Sequence, residues 1–300
     1  MQRKAPLVVV LGTGGTIAGR AATPESLAYA SAQIDVADLA ASAAQSGRAL
    51  GPVRIETEQV AQIDSKDMDF ATWRRLALAV ERHAARPEVR GIVVTHGTDT
   101  LEETAFFLAC VVAAAKPVVL TAAMRPATSF EADGPRNLAD AIAVAASETN
   151  TDDAPGVVVA FAGEIHAARD VRKAHPRRLD AFTSGERGAI GRVVDGRVES
   201  LRRAPDVARL VDAESLPEDA AAWPWVEIVT SDAGADGRVV DMLVAQGVAG
   251  IVVAATGNGS LHRALERALA DAVACGVVVR RASRVLDGSI VEESDVENGR

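Results

Sequence analysis

The chain has 300 residues, enough for two domains, and a hydrophobic content of 48% that excludes general disorder. Its formal charge of −9, with aromatics at only 3%, supplies neither the positive field nor the stacking groups that nucleic-acid binding requires. No apolar stretch approaches the roughly 20 residues of a membrane span, and Met1 to Pro6 lead into the first strand without a signal-type apolar region, so the sequence reads as cytoplasmic.

The first strand-like run, Leu7 to Leu11, opens into Thr13-Gly14-Gly15-Thr16. Counted from Gly12 and Gly14, the third small residue of a dinucleotide fingerprint would fall at Ile17, and no lysine follows as in a phosphate loop, so both nucleotide motifs fail. An isolated Gly-Gly would simply form a tight turn; here hydroxyls bracket the pair. Beyond a locally alanine-rich stretch at 40–44, Val53, Ile55 and Thr57 alternate with polar neighbours and predict a strand nearer the sheet edge. Phe70, Trp73, Leu76, Ala77 and Val80 follow helical spacing.

Gly91 to Thr95 is the next buried strand, and it opens into His96-Gly97-Thr98-Asp99-Thr100 ahead of a helix marked by Leu101, Ala105, Leu108 and Val112. Further strands are read at Pro117 to Thr121 and Val157 to Phe161. Strands alternating with helices predict an α/β fold, a doubly wound and mostly parallel sheet covered on both faces. Ligands bind at the strand carboxyl ends of such sheets, so two hydroxyl-rich loops there point to one shared pocket for a small polar substrate.

Between Gly185 and Trp223 the alternation lapses, with a hairpin signal at Asp195-Gly196 and a polar stretch through Pro205 to Pro217. The expected organisation is an N-terminal domain over 1–190, a connection over 191–222 and a smaller parallel α/β domain over 223–300. In the last, strands at Val226 to Thr230, Gly250 to Ala254 and Gly276 to Arg280 alternate with helices around Asp236 to Gln246 and Leu261 to Ala274. Cys110 and Cys275 lie in no metal-type or redox-type pair and read as two buried free thiols. No His, Cys or carboxylate cluster has metal-ligand spacing, so no metal is expected.

These residues resemble the bacterial-type L-asparaginases and glutaminase-asparaginases. The two short signatures of that family are present as Thr13-Gly14-Gly15-Thr16-Ile17-Ala18 and as Gly91 followed by His96-Gly97-Thr98-Asp99-Thr100-Leu101. Further agreement runs in order through Gln62 to Met68, Ala123-Met124-Arg125-Pro126, Ala132 to Pro135, Arg169 to Lys173 and Gly257-Asn258-Gly259.

The resemblance implies a cofactor-independent hydrolase that converts L-asparagine, and in some members L-glutamine, through a threonine acyl-enzyme. It implies a homotetramer of intimate dimers, with sites between the N-terminal domain of one subunit and the C-terminal domain of its neighbour. Thr16 matches the nucleophile, and Tyr29 the tyrosine on a mobile lid that assists it; as a residue type alone, Tyr29 would be an ordinary loop aromatic. Thr98 and Lys173 match the pair that activates a hydroxyl or water near the scissile carbonyl, and Asp99 the partner of the substrate ammonium. Without the resemblance, Asp99 reads equally as a helix cap and Lys173 as one cation in a basic stretch. Ser65 matches the residue that binds the α-carboxylate, the Ala123 backbone matches the position that receives the leaving amide, and Asn258 is placed in the substrate-binding set by the same resemblance. His96 matches a structural position in its loop.

The chain departs from the family pattern in three places. Lys66 follows Ser65 where members carry Gln or Glu to hold the substrate ammonium, so it either opposes that ammonium or folds outward onto Asp64 or Asp67. The sequence stops at Arg300, where members continue with a helical segment. The carboxylate contributed by a partner subunit aligns with Asp295, with Glu292, Glu293 and Glu297 as competitors. Rival readings are a broader glutaminase-asparaginase, a subunit of a tRNA-dependent amidotransferase, and a non-catalytic amino-acid-binding protein on the same fold.

Overall fold

A computed structural model of the chain describes residues 5–26, 28–45, 51–113, 115–147, 156–200 and 204–291. The chain divides into two compact units, Met1–Glu218 and Asp219–Arg300.

In the first unit the chain order is β1 (Leu7–Gly14), β2 (Arg20–Ala21), β3 (Tyr29–Ala30), α1 (Val36–Ala44), β4 (Arg54–Ile63), α2 (Phe70–Ala84), β5 (Val89–Thr95), α3 (Leu101–Val111), β6 (Val118–Thr121) and α4 (Gly134–Ala146). Then come β7 (Val157–Phe161), β8 (Glu164–Ala167), β9 (Arg172–Lys173), β10 (Phe182–Thr183), β11 (Gly191–Val194) and β12 (Arg197–Ser200). Eight strands form one sheet in the order β12-β11-β8-β7-β6-β5-β1-β4. β4, β1, β5, β6 and β7 run parallel, whereas β8, β11 and β12 extend the sheet through antiparallel pairs.

Every residue of β1 is buried, as expected for a central parallel strand covered on both faces. Val8, Val10, Val93, Val119 and Val158 pack with Val36 and Leu39 of α1 and with Leu138 and Ile142 of α4. Alternate residues point to opposite faces of a strand, so fully buried Val9, Leu11 and Val94 lie beneath the other face, on the side of α2 and α3. β4 is the edge strand that the alternation of Val53, Ile55 and Thr57 predicts.

The stretch expected to connect the domains begins inside the large sheet. β11 and β12 form a hairpin across Asp195 and Gly196, both at positive φ (48° and 74°), and β11 pairs with β8. That turn geometry matches the right-handed twist of the flanking strands. Pairing satisfies the backbone groups that a free connection would leave to water, so these residues belong to the first unit.

The second unit carries β13 (Val226–Thr230), α5 (Arg238–Ala245), β14 (Gly250–Ala255), α6 (Arg263–Ala274) and β15 (Val278–Ser283). Its sheet is parallel in the order β13-β14-β15, and Val229, Ile251 and Val253 pack against Val240, Leu265 and Leu269 of the helices. One thiol departs from expectation. Cys110 is buried in α3, but Cys275 is exposed, because α6 ends at Ala274 and Cys275 caps it by donating its backbone N–H to Asp271 and Ala272.

Candidate active site

The site is built where β1, β4 and β5 end side by side. Thr13 Oγ1 donates to the Thr95 carbonyl at 2.9 Å, tying the ends of β1 and β5 together. Gly14 and Gly15 follow at φ 103° and 81°, where side chains are strained. A Cβ on Gly97 would lie 2.4 Å from Ser65 Oγ, so the loops after β5 and β4 pack with no room for a side chain.

Beyond Gly15 the chain makes a single 3₁₀ turn, Thr16–Ala18, and Thr16 is buried. Its Oγ1 lies 2.7 Å from Tyr29 Oη. Tyr29 belongs to β3, which pairs antiparallel with β2, and its ring packs so closely over Gly19 that a Cβ there would sit 2.9 Å from Cδ2. This flap is fastened at several points. Ala21 N donates to Thr128 Oγ1 at 2.8 Å, Ala127 N to the Gly19 carbonyl at 3.0 Å, and Ala32 N to the Gly15 carbonyl at 3.1 Å.

The loop after β5 carries the second group. Lys173 Nζ donates to Thr98 Oγ1 at 2.9 Å and to Asp99 Oδ1 at 2.6 Å, so Lys173 meets two adjacent residues that lie 75 and 74 positions before it. The backbone N–H of Lys173 is taken by the Glu102 carboxylate, in the first turn of α3. Burial pushes the Glu102 carboxyl above its usual range, against the lowering effect of that hydrogen bond. Ser65 Oγ accepts from Asp99 N at 3.2 Å, and the Ser65 carbonyl accepts from Thr100 Oγ1 at 2.8 Å.

His96 is fully buried and spends both ring nitrogens inside the protein. The Gly97 carbonyl, 2.7 Å from Nδ1, can only accept, which assigns the proton to Nδ1. Nε2 then accepts from Thr104 Oγ1 at 3.0 Å, and Thr104 Oγ1 accepts from Trp73 Nε1 at 2.8 Å. Burial lowers the His96 pKa to about 4, so it is a neutral brace for the loop beneath Thr98 and Asp99.

A cavity of about 820 Å³ is lined by Thr16, Tyr29, Thr98, Asp99 and Lys173 together. Ala123 is buried immediately before Met124, which does line it, and Asp133 fixes this turn by accepting from Met124 N and Arg125 N at 3.0 and 2.9 Å. Ser65 is buried behind the Asp99 backbone and is not a lining residue. Lys66 is exposed and folds outward, 2.8 Å from Asp67 and 3.4 Å from Asp64; the hydrogen bond that it donates to Asp67 holds its pKa above the usual lysine value. In the second unit, Asn258 brackets Val291, with Nδ2 donating to its carbonyl at 3.1 Å and Oδ1 accepting from its N–H at 2.8 Å. Asp295, with Glu292, Glu293 and Glu297, lies outside the described residues. Among the described residues, no group of three or more His, Cys, Asp or Glu is arranged to hold a metal ion, and no helix is long and apolar enough to cross a membrane.

Glu102 and the Trp73–Thr104 pair are supporting residues outside the matching motifs, and Asp133 lies within the matching Ala132 to Pro135, a match that gives it no role. Each acts through a contact with a loop distant in sequence or through a backbone amide, neither of which leaves a spacing signal.

The sequence profile described as "Asparaginase, N-terminal" matches residues 7–206, and that described as "Glutaminase/Asparaginase C-terminal domain" matches residues 225–299. The chain belongs to the asparaginase family. Over 295 residues it is 35% identical to the probable periplasmic L-asparaginase of Haemophilus influenzae and 34% identical to L-asparaginase 2 of Escherichia coli, covering 98% of this chain and 82% of each relative. It is 36% identical to the glutaminase-asparaginase of Pseudomonas fluorescens, over 95% of this chain and 77% of that one. The crystal structure of a probable cytoplasmic L-asparaginase from Campylobacter jejuni superimposes with a TM-score of 0.85 at 35% identity, covering 97% of this chain and 88% of that one. This asparaginase-family chain is therefore an amidohydrolase, with relatives named for both the periplasm and the cytoplasm.

Proposed function

We propose that the chain hydrolyses L-asparagine to L-aspartate and ammonia through an acyl-enzyme on Thr16. The observation that carries this reading is the 2.7 Å pair of Thr16 Oγ1 and Tyr29 Oη in the cavity that also holds Thr98, Asp99 and Lys173. A neutral hydroxyl attacks poorly, and a hydrogen-bonded partner gives its proton a path out. Thr16 Oγ1 attacks the side-chain carbonyl carbon while its proton leaves along the bond to Tyr29. The proton returns to the amide nitrogen, the C–N bond breaks, and ammonia departs from an ester on Thr16. Lys173 donates to Thr98, leaving the Thr98 hydroxyl proton free to orient the water that cleaves this ester and releases aspartate.

Asp99 holds the substrate ammonium, with the leaving nitrogen beside the Ala123 backbone, and Ser65, behind the Asp99 backbone, steadies this loop by accepting from Asp99 N and Thr100 Oγ1. Asn258 and Asp295 complete the amino-binding site of a neighbouring subunit in a homotetramer, and the clamp of Asn258 on Val291 supports a role in holding that tail.

Thr16→Ala tests the central step. Ammonia release from Asn should fall below about a hundredth of the wild-type rate, because more than a single acid–base contribution is lost, while calorimetric binding of Asn survives. Hydroxylamine should divert the wild-type acyl-enzyme to a hydroxamate. Residual turnover above that level, or no hydroxamate, would point to another nucleophile or to direct attack by water. The same assay with Gln measures the preference between amides one methylene apart, a difference worth about 1–3 kcal/mol.

A further inference from the structure

We infer that Glu102 is a positioning residue for catalysis, anchoring Lys173 by its backbone while Thr98 and Asp99 hold it by its ammonium. The inference rests on the role proposed above for Lys173. One helix start supplies all three grips, since Thr98 and Asp99 come just before Thr100, the N-cap of α3, and Glu102 lies in its first turn.

The strand that carries this lysine is short: β9 has only two residues, and its ladder with β10 pairs Lys173 with Phe182. The Lys173 backbone N–H turns to Glu102 instead. A carboxylate accepting from a backbone N–H makes a short, charge-assisted bond, roughly twice as strong as a neutral one. The N-terminal end of α3 favours the negative charge at this position.

The clamp depends on the carboxylate being ionised. Glu102 is half-buried, and Glu103 on the same helix turn adds like-charge repulsion; both raise its pKa, while Lys173 and Arg172 on β9 lower it. Asp99 shares Lys173 with it. Burial dominates, so Glu102 takes up its proton at a higher pH than an exposed glutamate does. Protonation removes the charge from the bond to Lys173 N, and activity should fall as pH drops through this raised value.

Three variants test the inference in the full-length enzyme, with Asn as substrate. Glu102→Ala should lower kcat about ten- to a hundredfold with KM nearly unchanged, the loss expected from misplacing a catalytic group. Glu102→Gln stands in for the protonated carboxyl: its kcat should already be lowered about ten- to a hundredfold above neutral pH, and the acid limb set by Glu102 should vanish from its profile. Full kcat in Glu102→Ala, or a Glu102→Gln profile superimposable on wild type, would overturn the proposal, and the second result is readable even where the alanine variant fails to fold. Lys173→Met separates the two layers of argument. If it is inactive while both Glu102 variants behave as wild type, only the clamp is wrong; if it is fully active, the role of Lys173 is wrong as well.

Discussion

The backbones of Gly15 and Gly97 touch: a Cβ built on Gly15 would sit 2.3 Å from Gly97 Cα. This contact joins the loop that carries Thr16 to the loop that carries Thr98 and Asp99. At φ 81° and ψ −171°, Gly15 also occupies a region essentially reserved for glycine. Gly15→Ala should therefore destabilise the fold by more than about 2 kcal/mol, combining backbone strain with overlap that no rotamer relieves. Denaturant unfolding at neutral pH checks this; a midpoint matching wild type would mean the loops separate at little cost.

Tyr29→Phe keeps the ring over Gly19 and removes only the oxygen facing Thr16. A reduction in kcat of about 10²–10⁴-fold is expected, the usual worth of one acid–base group, with the far-UV spectrum unchanged. A loss in KM alone would make Tyr29 a binding residue instead.

Burial holds His96 and His166 neutral, lowering both from 6.5 to about 4. The unfolded chain takes up these protons first, so the stability from keeping the imidazoles neutral is complete above about pH 6.5 and declines as pH falls toward 4, by about 2 kcal/mol for each at pH 5. Unfolding free energies at pH 7.5 and 5 should reflect that loss. The difference between wild type and His96→Gln isolates one histidine from the half-buried carboxyls Glu102 and Asp133, whose raised values act in the opposite sense. Equal pH dependence in the two proteins would show that His96 is not held neutral.

Lys66→Gln should leave KM for Asn unchanged at both low and high salt, because the Lys66 ammonium is spent on Asp64 and Asp67. Were the lysine to swing toward the substrate ammonium, like-charge repulsion at about 5 Å would be of order 3 kcal/mol at an effective dielectric near 20, and the substitution would lower KM. A tenfold drop would establish that inward conformation.

Strand positions were legible wherever a buried parallel strand reads as an uninterrupted apolar run: Val157–Phe161 and Val226–Thr230 form with the expected limits. The Asp195-Gly196 turn was equally plain, since its residue types favour positive φ. β8 was not. It returns from β7 through Ala162 and Gly163, both at positive φ (51° and 84°), and alanine there gives no turn signal. α1 was visible only as alanine richness, and its Asp35 cap is recognisable once the bond from Ala37 N is seen. At the site, the hydroxyls of the two signature loops stood out by composition, but Tyr29 and Lys173 needed the family resemblance. Their partners lie 13 and 75 positions away, and neither pairing follows a helix or strand period.

Tyr29 is the only tyrosine in the chain, so the flap carries the protein's one phenol. Biosynthetic incorporation of fluorotyrosine would place a single ¹⁹F nucleus type per chain, at the position that touches Thr16. Its spectrum would contain no background from the core. Separate resonances, or one exchange-broadened line, would then count docked and undocked flaps directly, on the microsecond-to-millisecond scale on which such segments move.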